Sequence, residues 1–362
     1  MSPPGPDTRP SLLDLPPEGL AEIVGDLGEP GYRAAQVGRG VYRRFATDFE
    51  EMTDLPRGLR SRLAKRLRVG AAAVAGEQTS ADDSTTKLLL RMDDGELIET
   101  VLMRYDPFGR RRARRTVCIS TQAGCAMGCT FCATGAQGFR RQLSAGEILS
   151  QVLTMARVAS AEGDGGGLTN VVFMGMGEPL ANYAATHAAL SRLTAADGFG
   201  MSPRRITVST VGLPAGMRRL AADHPQVNLA VSLHAADEAL RRDLVPVPSA
   251  SLGGIVEAAR AHVAATGRRV SVEYVLLAGV NDSAAQAGQL GRLLRGLNCH
   301  VNLIPINSSP GVLGERPSRS AVLRFQARLT AAGVPATVRV EKGRDIAAAC
   351  GQLRGDRAPA GC

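Results

Sequence analysis

Three cysteines, Cys125, Cys129 and Cys132, form a C-x3-C-x2-C pattern, and this pattern constrains the chain more than any other feature. Thiolates at this density are typical ligands of an iron–sulfur cluster, whereas a structural zinc site usually takes four ligands from paired motifs. The sequence has no matching second C-x2-C pair. Because a [4Fe–4S] cluster has one more iron than the motif has thiolates, one iron stays open to a small molecule. We therefore predict a [4Fe–4S] cluster held by these three cysteines, with an open iron.

The other cysteines and the hydropathy pattern indicate a reducing compartment. The chain has an odd number of cysteines, seven, and its first ten residues are rich in proline and lack an apolar signal core. No apolar run reaches the roughly 18 residues that a membrane span needs. We therefore expect a cytoplasmic protein without a disulfide framework and without a membrane segment.

The charge balance favours a polyanionic partner. The formal net charge is +9, and five arginines occupy six positions in residues 110–115, beside the cysteine motif. A basic surface attracts nucleic acid, although a codon bias towards arginine would account for the scarcity of lysine. A third predicted helix, near residues 57–68, is also basic. Its charge is typical either of a solvated face or of a contact to an RNA backbone, and the sequence leaves both open.

The N-terminal third divides into three parts. We predict a disordered tail over residues 1–15, a helical accessory domain that binds RNA over residues 16–70, and a β-hairpin extension over residues 71–110. The hairpin pairs residues 86–92 with residues 97–103, and the Asp94-Gly95 turn signal lies between them.

Strands and helices then alternate, which predicts an α/β core. We place this core at residues 111–345 and interpret it as a partial (β/α)6 parallel barrel, followed by a C-terminal segment over residues 346–362. In such barrels the active site lies at the carboxyl ends of the strands. The predicted strands are residues 116–120, 169–173, 205–209, 227–233, 270–277, 299–304 and 336–340.

The cysteine motif, with Phe131 before its last cysteine, resembles the radical S-adenosylmethionine superfamily. Residues 175–179, Gly-Met-Gly-Glu-Pro, resemble the second-strand motif of that superfamily, which receives the amino group of the methionine. The resemblance implies that the open iron binds the amino and carboxylate groups of S-adenosylmethionine. It also implies that the reduced cluster cleaves the sulfonium to a 5′-deoxyadenosyl radical.

Further motifs make nearly the whole chain similar to the RlmN family. They are residues 122–125, 173–180, 209–212, 232–234, 302–305 and 345–353. The resemblance implies methylation of carbon 2 of an adenosine in the peptidyl-transferase centre of 23S rRNA, and of an adenosine next to the tRNA anticodon. It also implies a set of S-adenosylmethionine contacts: Gly177, Glu178, Ser209, Ser232, Leu233, His234 and Asn307.

Three more residues gain roles only through this resemblance. Taken alone, Cys350 in its alanine-rich tail and Cys118 on the first barrel strand would be core thiols, and Glu99 an exposed hairpin carboxylate. The resemblance implies that Cys350 carries a methyl group taken from one S-adenosylmethionine, and that the radical from a second one activates it. It further implies that Cys118 releases the RNA by forming a disulfide with Cys350, and that Glu99 accepts a proton.

Some readings stay open at this stage. The sequence departs from the usual RlmN pattern at Pro248 and Ser308, and a sister group of the Cfr type methylates carbon 8 of the same ribosomal adenosine. A radical enzyme acting on a small molecule or a protein is a further alternative, as is a non-catalytic iron–sulfur protein that binds RNA or transfers electrons. For the main reading we expect a monomer that takes electrons from a donor such as flavodoxin or ferredoxin.

Overall fold

The computed structural model describes residues 7, 9–16, 18–107, 113–162, 167–246, 250–307, 312, 314–339, 342–349 and 351–353. Several positions to which the sequence analysis refers lie outside the described residues: Arg110, Arg111, Arg112, Pro248, Ser308 and Cys350.

Ten strands of the described chain form one sheet, and the other two form a small antiparallel pair. In chain order they are β1 (Ala72–Thr79), β2 (Thr85–Met92), β3 (Leu97–Tyr105), β4 (Arg114–Cys118), β5 (Gln122–Gly124), β6 (Phe139–Gln142), β7 (Asn170–Phe173), β8 (Ile206–Thr210), β9 (Asn228–Ser232), β10 (Val270–Leu276), β11 (Cys299–Pro305) and β12 (Ala336–Val338). The sheet order is β1-β2-β3-β4-β7-β8-β9-β10-β11-β12.

From β4 onwards every neighbouring pair in the sheet is parallel. The parallel strands are buried and apolar because helices cover them, as expected for a βα barrel. This arrangement confirms the predicted α/β class and parallel core. The carboxyl ends of β4 and of β7 to β11 meet at one edge, where the predicted site residues follow the strands.

Several of the helices that accompany the strands begin at a capping side chain. Ser144 and Ser283 each form a capping box with the residue three positions later. The helices are α1 (Gly19–Asp26), α2 (Tyr32–Arg44), α3 (Arg57–Arg66), α4 (Ala133–Ala136), α5 (Ala145–Ala161), α6 (Tyr183–Thr194), α7 (Pro214–Asp223), α8 (Glu238–Leu244), α9 (Leu252–Thr266), α10 (Ala284–Leu293) and α11 (Arg319–Ala331). Within the described ranges, no helix combines the length and the apolar character needed to cross a membrane.

The antiparallel extension contains one strand more than the predicted hairpin. The predicted pair forms β2 and β3, and Gly95 adopts a positive φ of 90° in the turn between them. The additional strand is β1, which pairs with β2 at the edge of the sheet. Its alanine-rich sequence has low β propensity and little alternation, so the pattern did not indicate a strand.

The predicted disordered tail extends too far towards the helical region. Leu12 and Leu13 are buried, and Ser11 forms a bridge with Arg68. The Asp14 carboxylate accepts hydrogen bonds from the backbone N–H of Gly146 at 2.6 Å and from Ser144 Oγ at 3.1 Å. Residues 11–15 therefore connect the helical region to the start of α5, an interaction between distant segments that local sequence cannot indicate.

Candidate active site

A cavity opens at the carboxyl ends of the parallel strands, and we call it the cysteine cavity. Its empty volume, including the open mouth, is about 940 Å³. Its walls combine the three motif cysteines with residues from five strand ends. The polar or charged lining residues include Glu178, Ser209, Thr210, Ser232, His234, Glu273, Asn307 and Arg339.

The loop that carries the cysteines is fixed by backbone hydrogen bonds at both ends. The N–H of Cys125 donates to Gly138 O at 2.9 Å, and the N–H of Thr130 donates to Leu244 O at 3.1 Å. Gly124 has a φ of 70°, and a Cβ built there would lie 2.0 Å from Gly138 O. The β5–β6 pair and the end of α8 therefore hold the three thiols on one wall of the cavity.

The thiols suit a metal cluster and are poorly suited to remain charged without one. Burial raises the pKa of Cys125 to about 12, and burial followed by the neighbouring thiolates raises the pKa of Cys129 further. Metal coordination deprotonates a thiol outright because the cation supplies the missing counter-charge. The three thiols line one cavity and so fit an iron–sulfur cluster, while the described side chains do not close around a single metal ion.

Glu178 is buried beside the cysteines, in a turn that holds both of its carboxylate oxygens. Oε2 accepts from the N–H of Val211 at 2.8 Å, and Oε1 accepts from the N–H of Leu180 at 3.0 Å. Burial raises the pKa of Glu178 to about 7. Gly177 before it has a φ of 100°, and a Cβ there would lie 2.6 Å from Gln122 Cβ. The turn therefore requires glycine, and it presents a buried carboxyl group to the cavity.

His234 lines the same cavity and has a left-handed backbone conformation, with φ at 61°. The Asn281 side-chain amide donates to His234 O at 2.7 Å, and the N–H of Val275 donates to His234 Nδ1 at 3.0 Å. Burial, assisted by Arg241, lowers the pKa of His234 to about 3. The imidazole is therefore neutral with its proton on Nε2, and its ring packs edge-on against Phe131.

The structure brings most of the predicted S-adenosylmethionine contacts to the walls of this one cavity. Gly177, Ser209, Ser232 and Asn307 line it together with Glu178 and His234. Leu233 is buried in the hydrophobic core, and its N–H donates to Glu273 O at 3.1 Å.

Cys118 lines a second, smaller cavity, which we call the tail cavity. The two cavities share four wall residues: Met174, Ile304, Asn307 and Arg339. The tail cavity is closed on another side by Ala348, Ala349 and Leu353 of the C-terminal segment. The same segment touches the cysteine loop, because Gly351 O accepts from the N–H of Ala133 at 2.8 Å. The C-terminal segment therefore runs past both the Cys118 side and the cluster side of the shared wall.

Glu99 is buried, which excludes the simple reading of an exposed hairpin carboxylate. Its Oε1 lies 2.8 Å from Lys87 Nζ. Val101, two positions later on β3, pairs with Cys118 in the register of the sheet. Because side chains alternate along a strand, Glu99 and Cys118 lie on the same face of the sheet.

Sequence reasoning missed Glu273, which lines the cysteine cavity from β10. A single charged residue within an apolar strand (Val-Ser-Val-Glu-Tyr-Val-Leu) was the available signal, because a buried strand rarely carries an unneeded charge.

Two family models match the chain. Residues 11–69 match the ribosomal RNA large subunit methyltransferase N-terminal domain, called RlmN_N, and residues 119–287 match the radical SAM superfamily. The first match covers the helical region, and the second covers the cysteine motif and most of the parallel strands.

Relatives of similar length match almost from end to end. The ribosomal RNA large subunit methyltransferase N of Nitrosopumilus maritimus is 46% identical over 348 residues, which is 95% of this chain and 98% of that protein. The dual-specificity RNA methyltransferase RlmN of Anaeromyxobacter dehalogenans is 47% identical over 98% of this chain and 94% of its own length. The crystal structure of a radical SAM methyltransferase from Sphaerobacter thermophilus, 48% identical, superposes with a TM-score of 0.90 over 96% of this chain and 100% of that one.

Proposed function

The chain belongs to the RlmN family of radical S-adenosylmethionine RNA methyltransferases, and on that premise we propose that it methylates carbon 2 of adenosine in RNA. The proposed targets are an adenosine in the peptidyl-transferase centre of 23S rRNA and an adenosine next to the tRNA anticodon. The names of the relatives, which specify ribosomal RNA and dual specificity, support this choice, as does the match of residues 11–69 to the RlmN N-terminal domain.

The cofactors are those of the family, a [4Fe–4S] cluster and S-adenosylmethionine. We assign the cluster to Cys125, Cys129 and Cys132, and S-adenosylmethionine to the rest of the cysteine cavity. Together these groups supply a 5′-deoxyadenosyl radical when bound and reduced. The protein excludes water and orients the ligand through polar side chains that line the cavity together with the thiols: Glu178, Ser209, Ser232, His234 and Asn307.

The wall shared by the two cavities is the observation that most supports a methyl-carrying cysteine in the C-terminal segment. A methyl group on a tail cysteine must reach both the cluster side, where it is taken up and activated, and a substrate side. The C-terminal segment meets both requirements, because Ala349 lines the tail cavity and Gly351 lines the cysteine cavity. These two residues flank position 350 in the sequence. We therefore propose that Cys350 carries the methyl group.

Cys118 and Glu99 have the remaining proposed roles. The carbon radical formed on the methyl group of Cys350 adds to carbon 2 of the base, and this step ties the RNA to the protein. The radical adduct then loses one electron, which the oxidised cluster would take up, and the proton of carbon 2, which Glu99 accepts, so that a thioether joins Cys350 to the base. The Cys118 thiolate attacks the sulfur of Cys350 and forms a disulfide, the bond from that sulfur to the methylene carbon breaks, and the carbon takes up a proton to become the methyl group of the released RNA. Burial of Cys118 in the wall of the tail cavity supports a thiol that meets the adduct only after the base has entered.

The proposal also covers how the RNA docks, what supplies electrons and where the enzyme acts. The arginine run of residues 110–115 and the basic helix α3 are the proposed contacts to the RNA backbone. Part of the charge of α3 is neutralised, because Arg60 and Arg62 form ion pairs with Glu50 and Glu29. We propose a cytoplasmic monomer that receives electrons from a flavodoxin or ferredoxin.

The test is nucleoside mass analysis after incubating the reconstituted, reduced enzyme with S-adenosylmethionine and fragments of 23S rRNA or tRNA. The proposal predicts 2-methyladenosine, and no methylated adenosine with the Cys350→Ala variant. Exclusive 8-methyladenosine would assign the Cfr-type reaction. Cleavage of S-adenosylmethionine without RNA methylation would indicate another radical enzyme. A reduced-cluster EPR signal that S-adenosylmethionine leaves unchanged would indicate a non-catalytic iron–sulfur protein.

A further inference from the structure

Glu273 carries a buried carboxylate oxygen that has no hydrogen-bond partner in the described part of the chain. The residue is 5% exposed and lines the cysteine cavity from β10. Its Oε1 accepts from the Asn302 side-chain amide at 2.8 Å. Its Oε2 accepts no hydrogen bond, and Arg339 Nη1 lies 4.0 Å away, beyond hydrogen-bond distance.

An acceptor in this state favours a ligand that donates a hydrogen bond. A buried carboxylate oxygen that lacks a donor costs free energy, and the large majority of such oxygens in native proteins are satisfied by protein, water or ligand. The Asn302 amide holds the other oxygen, so the orientation of the carboxyl group is already set. Oε2 is therefore a preformed acceptor in the wall of the cavity.

The sheet register indicates which part of S-adenosylmethionine reaches this acceptor. Glu273 pairs with Ser232 on β9, and Ser209 lies on the next strand, β8, which is followed by β7 and the Glu178 turn. Neighbouring strands lie about 4.8 Å apart, and roughly three such spacings separate β10, which carries Glu273, from β7, which leads to the Glu178 turn. A ligand whose methionine part lies beside Glu178 and the cysteines would extend its nucleoside towards β9 and β10.

The nucleoside offers two kinds of donor, the ribose hydroxyls and the exocyclic amine of adenine. Beyond Glu273 the wall becomes apolar, with Val275, Ile304 and Ile306, which suits the flat base better than the ribose. A carboxylate is also the usual acceptor for ribose hydroxyls in nucleotide sites. We propose that Glu273 is a positioning residue for the cofactor, and that its Oε2 accepts a hydrogen bond from a ribose hydroxyl of S-adenosylmethionine.

This inference rests on the cofactor assignment of the proposed function and not on the identity of the RNA target. It is therefore tested by ligand binding rather than by methylation. The probes are S-adenosylhomocysteine, its 2′-deoxy and 3′-deoxy forms, and the form that lacks the 6-amino group. Binding to the full-length, cluster-reconstituted protein is measured by isothermal titration calorimetry.

The wild-type protein should bind one of the two deoxy probes about 10- to 100-fold more weakly than the parent, the range expected for a hydrogen bond to a charged group. The Glu273→Gln variant should bind the parent more weakly by a similar factor and should no longer distinguish that deoxy probe. In this variant the side-chain oxygen of residue 273 keeps the hydrogen bond from the Asn302 amide. The new amide nitrogen therefore takes the place of Oε2, and the volume of the side chain does not change. Glu257→Gln, on the exposed face of α9, is the matched control and should bind like the wild type.

Two results would overturn the proposal. One is wild-type binding of both deoxy probes as tight as the parent, a measurement that needs no variant. The other is a folded, iron-loaded Glu273→Gln variant that still distinguishes the deoxy probes from the parent as the wild type does. Such a variant would fail to distinguish only the probe that lacks the 6-amino group. Unmethylated RNA alongside the expected probe ranking would refute the proposed function and leave the role of Glu273 standing.

Discussion

Lys87 Nζ lies 2.8 Å from Glu99 Oε1, and the two side chains are only 10% and 5% exposed. The ammonium group also donates to Ala347 O, in the C-terminal segment, at 3.4 Å. The pair therefore connects the antiparallel extension to the segment that leads to Cys350. It provides the Glu99 carboxylate with a counter-charge in a place where an isolated charge would cost several kcal/mol.

Removing Lys87 should destabilise the protein more than removing both partners. The Lys87→Met variant leaves a buried carboxylate without this cation, which typically costs roughly 3–5 kcal/mol. The Lys87→Met/Glu99→Gln double variant also removes the buried negative charge and should recover much of that loss. Chemical denaturation of the wild type, both single variants and the double variant measures the coupling. Additive effects of the two substitutions would show that the pair contributes nothing to stability.

Cys118 should be needed to release the RNA and not to attach it. If its thiol resolves the adduct, the Cys118→Ala variant should accumulate RNA bound covalently to protein, visible as a slow band on a denaturing gel. The Cys118→Ala/Cys350→Ala double variant should form no such band. Cys299→Ala is the matched control, because that buried thiol lies on β11 outside both cavities. Normal turnover by Cys118→Ala would contradict the assigned role.

Glu178 should make stability depend on pH in the protein free of cluster and S-adenosylmethionine. Its pKa is raised from 4.5 to about 7, so the folded state holds a proton that the unfolded state loses. The stabilisation from this group is complete below about pH 4.5 and is lost as the pH rises through 7, a change of about 3 kcal/mol. Glu178→Gln cannot titrate. Between pH 5 and pH 8 the melting temperature of the wild type should therefore fall more than that of this variant. Equal decreases would refute the raised pKa of Glu178.

Asp14 should stabilise the contact between the helical region and α5. Its carboxylate accepts from the N–H of Gly146 at 2.6 Å and places a negative charge at a helix N-terminus. Asp14→Ala should lower the free energy of unfolding by about 1 kcal/mol, the usual cost of losing such an acceptor. Asp7→Ala, also in the N-terminal segment, is the control. Unchanged stability of Asp14→Ala would mean that the segment docks through Leu12 and Leu13 alone.

Much of the core followed from local sequence because its signals are local. The apolar strands end at polar motifs, so the sequence alone assigns Glu178, Ser209 and Ser232 to the ends of strands and Cys118 to the first strand of the core. Helical periodicity likewise predicted the third helix near residues 57–68, which the structure shows as α3 (Arg57–Arg66).

The features that sequence analysis missed depend on contacts between distant segments. Strand β1 forms only because β2 offers it an edge, and its own composition is poor in strand-forming residues. The burial of Glu99 depends on Lys87, and the open acceptor of Glu273 depends on Asn302 one strand away. No local pattern contains these relationships, since each arises when the sheet register brings separate segments together.

We expect the RNA methyl group to be built from a methyl carried on Cys350 and activated by hydrogen removal. The most direct test supplies S-adenosylmethionine with a fully deuterated methyl group and measures the mass of the methyladenosine formed. If Cys350 carries the methyl group, two of the three deuterium atoms remain in the product and the third appears in 5′-deoxyadenosine. Retention of all three in the RNA would show direct methyl transfer and would contradict the account.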